Sequence, residues 1–343
     1  MKIRTGYILH FFTIFLVVVI FSDLAMAQRS RREEPKVKPF RSFLGKFTVS
    51  GSIGLGRTWH VHKVEGLGVI QNPGTAPLLF DASGPVTNPI QFGVANWVNN
   101  PTSVQDITVD TSSFYFSTDS IPVKFKAKGL NIPINLMVHY TFDRYRIGGG
   151  WSFEPYRIGK YHSNVYEDKI EPFNVNFNLS YYTRWYFMLG GEVIKTRRYM
   201  LVVDAKVGSY KLQKKHFNAE LIEKGIFFNL GARMEKSLSE YVKIYIRPSL
   251  EFKNYKISFP EAPQSLTHHL PAFYTSIGLS WRLPDRRKCP ISNCHTQINH
   301  YHGSKLYRSR MHPFWKWQDP DYGQNYPRLH KDKRKNKRKI NPY

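Results

Sequence analysis

The amino-acid sequence predicts an all-β protein, an eight-stranded antiparallel up-and-down transmembrane β-barrel with a long external first loop and an irregular basic C-terminal tail. Three observations support this fold class. From residue 47 to residue 283, apolar and polar residues alternate with the period of two that β-strands produce. Long and short connections also alternate, as in barrels that carry tight turns on one rim and long loops on the other. Beyond the N-terminal apolar run, no stretch reaches the roughly 18 apolar residues that a spanning helix needs.

The strongly basic composition indicates which kinds of molecule the protein could bind. The chain has 343 residues, with 50 Lys and Arg against 25 Asp and Glu, which gives a formal net charge of +25. A balance this basic favours acidic partners such as nucleic acid, a membrane surface or an anionic polymer. Hydrophobic residues make up 41% of the sequence, which excludes a wholly disordered chain. The two cysteines exclude a scaffold held together by many disulfides.

The first 27 residues have the pattern of a secretory signal peptide. Lys2 and Arg4 form a positive start, an apolar run covers 8–21, and Ala25-Met26-Ala27 is a cleavage site of small residues. A transmembrane anchor is the alternative, although the apolar run is short for one. Export argues against nucleic acid as the partner. A basic linker over 28–45 is expected to follow the signal peptide.

Eight strands are predicted between residues 46 and 283. In the clearest of them, Val242 and Ile244 alternate with Lys243 and Arg247. The fourth strand is long and its parity slips near Tyr181-Tyr182, which predicts a β-bulge. The predicted strands cover residues 46–58, 129–142, 144–160, 173–195, 197–212, 225–236, 241–257 and 271–283.

The connections between these strands differ in length. Three are tight turns, at 142–144, 195–198 and 236–240, and the others are long. The first long connection, 59–128, is rich in Gly, Pro and Asn and poor in charge. Loops of this length are usually functional or disordered. Apolar spots such as Trp97 leave two interpretations open, a surface binding loop and a packed structural cap.

The strand faces opposite the apolar ones carry eleven charged residues, six cations and five anions. Eight strands leave an interior just wide enough for side chains. Each unpaired charge there would cost several kcal/mol to desolvate, so the charges are expected to pair and to plug the barrel. The alternative is a soluble antiparallel barrel or sandwich with its charged faces in water. The predicted interior set is Arg146, Glu154, Arg184, Glu192, Asp204, Lys206, Arg233, Glu235, Lys243, Arg247 and Glu251.

The tail, residues 284–343, combines a Cys/His cluster, aromatic residues and a basic run. In an oxidising compartment, Cys289 and Cys294 are candidates for a local disulfide. Together with two of His295, His300 and His302 they are also candidate ligands of a structural zinc ion, because thiolates and imidazoles suit tetrahedral zinc. The residues expected to dock on a partner are Trp315, Trp317, Lys333, Arg334, Lys335, Lys337, Arg338 and Lys339.

Two stretches resemble small outer-membrane β-barrel proteins of Bacteroidetes-type bacteria. The first is a basic entry to a strand, residues 125–134, which contains Gly129-Leu130-Asn131-Ile132-Pro133. The second is the tight turn and Gly-rich return strand, Phe142-Asp143-Arg144-Tyr145-Arg146-Ile147-Gly148-Gly149-Gly150. The resemblance covers residues 45–283. It implies the barrel fold and an outer-membrane location, and the family includes structural, adhesion and secretion-associated proteins. The topology of the predicted barrel places the long loops outside the cell and the tail in the periplasm.

Enzymatic motifs are missing from the sequence. It contains no G-x-S-x-G elbow, no H-E-x-x-H and no P-loop, and an inward His139 is a weak candidate by itself. We therefore expect a non-enzymatic protein with no cofactor other than the candidate zinc. Its expected role is an envelope anchor or accessory of a periplasmic, secretion or motility complex, with outer-membrane lipid and peptidoglycan or an envelope protein as partners. The alternatives are a surface binding or adhesion protein that uses 59–128, and a small-solute channel.

Overall fold

A computed structural model describes residues 39–81, 89–118, 123–196, 198–259, 262–294, 296, 299–303 and 305–310. The expected signal peptide 1–27, most of the linker 28–45 and the tail beyond residue 310 lie outside these ranges. Within them the chain is built almost entirely from antiparallel strands, so the expected all-β class is confirmed. No helix in the described ranges is long and apolar enough to cross a membrane.

One short helix precedes twenty strands in the described part of the chain. The helix is α1 (Pro39–Leu44). The strands are β1 (Phe47–Val64), β2 (Gly68–Gln71), β3 (Leu78–Phe80), β4 (Ile90–Ala95), β5 (Thr102–Ile107), β6 (Phe114–Ser117), β7 (Val123–Asn131), β8 (Ile134–Phe142), β9 (Tyr145–Ile158), β10 (His162–Ser163), β11 (Ser180–Lys195), β12 (Tyr199–Leu212), β13 (Ile222–Lys224), β14 (Ile226–Ser237), β15 (Val242–Phe252), β16 (Asn254–Phe259), β17 (Ala262–His269), β18 (Ala272–Arg282), β19 (His300–His302) and β20 (Lys305–Tyr307).

The long strands form a ring of antiparallel pairs. β1 pairs along one edge with β18, and along its other edge first with β8 and then with β7. β7 and β8 follow each other in line because Pro133, which has no N–H to donate, interrupts the ladder between them. From β8 the pairing passes to β9, β11, β12, β14, β15 and β18 in chain order. The succession returns to β1 and leaves no open edge among these strands.

Several predicted strand boundaries need correction. β1 and β7 stay paired up to Val64 and Val123, so the first long connection covers 65–122 and not 59–128. The reason is that the alternation of buried and exposed residues continues past the predicted ends. The predicted strand 241–257 is two strands, because the chain leaves β14 after Phe252 and β16 pairs with β17 and β13 instead.

The predicted bulge at Tyr181-Tyr182 was wrong. The ladder between β11 and β9 is regular from Ser180 to Gly191. The register shifts instead between Glu192 and Ile194, in the ladder with β12. The slip of parity near residue 181 arises because the strand begins only at Ser180, so the residues before it belong to a connection.

The long connections build a second region at one end of the ring. The first of them forms a five-stranded sheet in the order β5-β4-β3-β2-β6 and is not an irregular loop. We call this end the cap: β2–β6, β10, β13, β16 and β17, with the ends of β1 and β7. Its core is apolar and includes Leu79, Trp97, Phe125, Phe173 and Ile257. We call the opposite end, with the tight connections 143–144, 196–198 and 238–241, the turn rim.

Candidate functional site

The outward faces of the ring form a continuous apolar surface. These side chains alternate with buried ones along each strand, as a pleated strand requires. A contiguous exposed apolar surface of this extent is rare on a soluble monomer. Its members include Val49, Ile53, Leu55, Leu130, Ile134, Leu136, Val138, Ile147, Trp185, Phe187, Leu189, Val207, Met234, Ile246, Leu250, Phe252, Phe273, Ile277, Leu279 and Trp281.

Polarity inverts along β1 between the ring and the cap. Among its exposed residues, the apolar Leu55 gives way to Arg57 and Lys63. Among its buried residues, Ser50 and Thr58 are followed by the imidazoles of His60 and His62 and then by Val64. At the turn rim β1 is therefore apolar outside and polar inside. Towards the cap its outer face carries Arg57 and Lys63 on either side of the exposed Trp59.

Neighbouring strands invert at the same level. On β7 the exposed residues change from Lys128 to Leu130, and Leu130 lies opposite Arg57 in the ladder. Where β15 passes into β16, exposed Phe252 is followed by exposed Lys256. Several strands thus change the polarity of their outer face at the same height along the ring. This shared height indicates that the outer surface meets one environment on the ring side and a different one on the cap side.

The interior of the ring holds buried ion pairs. Near the cap, the Arg184 guanidinium contacts the Glu154 carboxylate, and its Nη1 lies 2.7 Å from both carboxylate oxygens of Glu251. The Lys253 ammonium lies 3.0 Å from Glu251 Oε1 and 3.7 Å from Glu154 Oε1. The Tyr274 hydroxyl donates to Glu154 Oε1 at 2.7 Å. Each of these charges therefore has a partner in a region that water scarcely reaches.

Two further groups of charges lie closer to the turn rim. Arg247 Nε donates to Asp204 Oδ1 at 2.8 Å, and Arg233 Nε lies 3.7 Å from the second oxygen of the same carboxylate. Arg146 bridges Glu235 and Glu192, with a 3.0 Å hydrogen bond from Nη2 to Glu235 Oε2 and a 3.3 Å contact to Glu192 Oε1.

The structure brings all eleven charged residues of the predicted interior set into this region, and ten of them make ion pairs. Lys243 lies 3.1 Å from Glu235 Oε2. Lys206 has no carboxylate within salt-bridge distance in the described ranges, and its ammonium lies 4.5 Å from the centre of the Tyr186 ring. The set omitted the fully buried Lys253, although Lys253 has the same parity as Glu251.

Side chains fill the middle of the ring. Two small spaces there have volumes of about 20 Å³ and 10 Å³, room for about one water molecule each. A cavity of about 690 Å³ opens towards the turn rim and is lined by Arg146, Lys243 and His139. His139 is buried, and its Nδ1 has no hydrogen-bond partner in the described part of the chain. The described contacts do not assemble a nucleophile, base and acid around it.

The Cys/His cluster follows the last ring strand at the turn rim. The ligand atoms of Cys289, Cys294, His300 and His302 all lie within 4.8 Å of one another. The Sγ atoms of Cys289 and Cys294 are 3.2 Å from His302 Nε2 and 3.1 Å from His300 Nε2, respectively. Both cysteines are free thiols, so the structure does not contain the candidate disulfide. The fifth candidate, His295, lies outside the described residues.

The predicted docking residues of the tail also lie outside the described ranges. They are Trp315, Trp317, Lys333, Arg334, Lys335, Lys337, Arg338 and Lys339.

Comparisons with known proteins return structural likeness only. No protein-family model matches the chain, and no curated protein matches it. It is similar to the outer membrane protease OmpT from Escherichia coli, at 9% identity over 73% of this chain and 99% of that one, with a TM-score of 0.30. It is also similar to the outer membrane protein AlkL, at 9% identity over 75% and 96% of the two chains, with a TM-score of 0.31. For the translocator domain of the autotransporter NalP from Neisseria meningitidis, the identity is 10%, the coverage 81% and 97%, and the TM-score 0.22. At these scores the likenesses carry no argument about function.

Proposed function

We propose that this protein is an eight-stranded outer-membrane β-barrel with a non-enzymatic role, in which the ring anchors the chain and the C-terminal segment ties the membrane to a periplasmic partner. The observation that carries the proposal is the shared level at which polarity inverts. A surface that is apolar outside and polar inside suits lipid, whereas the reverse arrangement of the cap suits water.

The dimensions of the apolar surface support a membrane span. On β18 it runs from Phe273 to Trp281, and on β15 from the half-buried Val242 to the exposed Phe252. A tilted strand of about 9–11 residues crosses the hydrocarbon core of a bilayer. The ring also leaves no strand edge unpaired, which a lipid environment demands because lipid offers no hydrogen-bond partners.

The filled interior favours an anchor over a small-solute channel. Ion pairs around Arg184 and Arg247 cross the ring, and the spaces between them hold about one water molecule each. We expect the purified protein to leave a planar bilayer electrically silent. Steady single-channel conductance would contradict the anchor and support the channel.

The position of the C-terminal segment suggests its compartment. β18 ends at Arg282 on the turn rim, where the Arg282 N–H donates to the Tyr241 carbonyl at 2.8 Å. Short turns of outer-membrane barrels face the periplasm, which would place residues 284–343 there and the cap outside the cell. Those residues contain 15 Lys and Arg against 4 Asp and Glu. Peptidoglycan carboxylates or an acidic protein surface fit such a charge.

The first test is heat modifiability in a fractionated membrane. Folded outer-membrane barrels resist detergent, so we expect unboiled protein from the outer-membrane fraction to migrate differently from boiled protein. Recovery in the soluble periplasm without a shift would contradict the barrel. The ring would then be a soluble β fold.

The second test concerns the tail in the full-length protein. We expect Gln substitutions at Lys333, Lys335 and Lys337, with Arg334, Arg338 and Lys339 also neutralised, to abolish co-sedimentation with peptidoglycan. Matched Gln substitutions at the cap residues Lys124, Lys126 and Lys128 should leave it unchanged. Loss of cell-surface binding only in the cap variant would instead favour the adhesion role.

A further inference from the structure

We propose that Cys289, Cys294, His300 and His302 bind one structural zinc ion. Their four ligand atoms already lie within 4.8 Å of one another, although they come from two separate stretches of chain. Two thiolates and two imidazoles are a ligand set that zinc prefers. The proposal depends only on residues 289–302 and goes beyond the membrane anchor.

The local structure explains how the four residues converge. The backbone at Cys289 is fixed by a hydrogen bond, in which its N–H donates to the Arg308 carbonyl at 3.0 Å. A turn then brings Cys294 back, with a 3.3 Å hydrogen bond from its N–H to the Ile291 carbonyl. β19 presents His300 and His302 from the same face, since residues two apart in a strand point the same way.

The distances fit a tetrahedral ion after a small expansion. His300 Nε2 lies 3.0 Å from His302 Nε2, and each cysteine Sγ is 3.1 or 3.2 Å from one of these nitrogens. Zinc bonds of about 2.3 Å to sulfur and 2.0–2.1 Å to nitrogen place neighbouring ligand atoms roughly 3.3–3.8 Å apart. These three contacts need to lengthen by only a few tenths of an ångström to admit the ion, and the remaining ligand atoms are already within 4.8 Å of one another.

The surroundings indicate a structural site rather than a catalytic one. Four protein ligands complete a tetrahedral zinc ion and leave no position for water or substrate. Cys289 is buried, at 1% exposure, and the other three ligands are partly buried. Thr296 Oγ1 lies 3.6 Å from Cys294 Sγ, where its hydroxyl would donate to a thiolate.

Zinc would fix the chain where it leaves the ring. The ion closes the segment between Cys289 and His302, which lies between β18 and the basic tail from residue 311 onwards. That consequence for the direction of the tail rests on the proposed function, whereas the metal site does not. Zinc would also keep the two thiols from forming a disulfide, the competing fate of the pair in an oxidising compartment.

The test is metal analysis of the full-length protein, refolded in detergent and separated from free metal. We expect one zinc ion per chain, and Co²⁺ in its place should give the ligand-field absorption of tetrahedral coordination with a thiolate-to-cobalt charge-transfer band. Cys289→Ser or Cys294→Ser should halve the charge-transfer intensity, and the double variant should hold no metal. His162→Ala, an exposed histidine on β10, is the matched control for His300→Ala and should keep its zinc.

Two outcomes would overturn the proposal. One is stoichiometric zinc in the double cysteine variant, and the other is the absence of reactive thiols in protein isolated without reductant, which would reveal the disulfide. His295→Ala tests the ligand set, because loss of zinc in that variant and not in His300→Ala would contradict the assignment. Heat modifiability of every variant shows whether the ring is folded, so failure of the barrel is distinguishable from failure of the metal site.

Discussion

The interior of the ring and the core of the cap are both buried, yet their chemistry is opposite. The ring interior holds guanidinium–carboxylate pairs such as Arg184 with Glu251, whereas the cap core holds Trp97, Phe125 and Phe173 in mutual contact. β1 runs through both regions without a break. The backbone is therefore the same in both regions, and what lies outside the strands decides which side chains are buried.

This contrast shows how burial is stabilised when the hydrophobic effect does not favour it. In the cap, apolar side chains leave water, at roughly 25 cal/mol per Å² of apolar surface. In the ring, charges lie inside because the apolar positions face outwards, and burying a charge there is costly unless it has a partner of opposite sign. Removing one partner of an ion pair in the ring is therefore expected to lower the stability of the protein most.

The largest effect is expected for Arg184→Met. The substitution leaves the buried Glu154 and Glu251 with Lys253 as their one cationic partner among the described residues, at 3.7 and 3.0 Å. Breaking a buried pair by removing one partner costs about 3–5 kcal/mol. The free energy of unfolding, measured by urea titration of the refolded protein in vesicles, should fall by that amount.

Lys195→Met is the matched control, because the Lys195 side chain is 60% exposed and contacts Glu192 at 3.4 Å. The Glu192 side chain is buried but keeps Arg146 as a partner at 3.3 Å, so loss of the exposed Lys195 should cost only about 0–1 kcal/mol. Adding Glu251→Gln to Arg184→Met should recover part of the loss, since it removes one unpaired charge. Equal stability of Arg184→Met and Lys195→Met would show that the interior charges are solvated.

The second effect concerns the outward face. Ile277 lies in the middle of the apolar surface of β18, is 50% exposed and is opposite Ile53 and Ile246 in the ladders. An arginine on the lipid-facing surface costs about 2–4 kcal/mol at the middle of a bilayer. Ile277→Arg should therefore lower the free energy of unfolding in vesicles by that amount.

Ser258→Arg tests the same change beyond the level of inversion. Ser258 is an exposed residue of β16 in the cap, so its substitution should alter stability by less than about 0.5 kcal/mol. If the two arginine variants behave alike, the apolar face is not in lipid. The barrel would then be contradicted even if the interior charges prove essential.

The sequence predicts the ring better than the cap, for a physical reason. Long strands with a single repeated period, such as β15, reveal which residues face inwards, and Lys243, Arg247 and Glu251 follow from parity. The strands β2–β6 have three to six residues and are separated by Gly and Pro, so they are too short to show a period. Their pairing depends on contacts distant in sequence, which parity does not contain.

The Cys/His cluster and the charged ring interior differ in how far the sequence predicts them. The clustering of Cys289 with His302 was predictable because the two residues are close in sequence and both can bind a metal ion. Which charge pairs with which was not, because the partners of Arg146 come from strands fixed by register around the ring. Lys206 faces inwards as its parity predicts, but its ammonium lies over the Tyr186 ring and not in an ion pair.

The smallest effect is a pH dependence of the cap. His268 lies on β17, where its ring centre is 3.9 Å from that of His62 and 4.5 Å from that of Tyr255, on which it stacks. Neither ring nitrogen of His268 has a hydrogen-bond partner among the residues described. Burial, followed by the charges of His60 and His269, lowers the pKa of His268 well below its usual value of 6.5. The folded cap therefore keeps His268 neutral, whereas the unfolded chain binds a proton below about pH 6.5.

This difference in protonation makes the folded cap less stable at low pH. Stability from the neutral His268 is complete above about pH 6.5 and falls by about 1.4 kcal/mol per pH unit below it. Hydrogen exchange of cap amides at about pH 7.5 and 5.5 should show this loss, after correction for the intrinsic exchange rates. Gln has no proton to gain, so His268→Gln should reduce the pH-dependent loss by about 1.4 kcal/mol, whereas His162→Gln at an exposed site should not. An unchanged pH dependence in His268→Gln would mean that the histidine is accessible to water, and the cap core would then be less sealed than the ring interior.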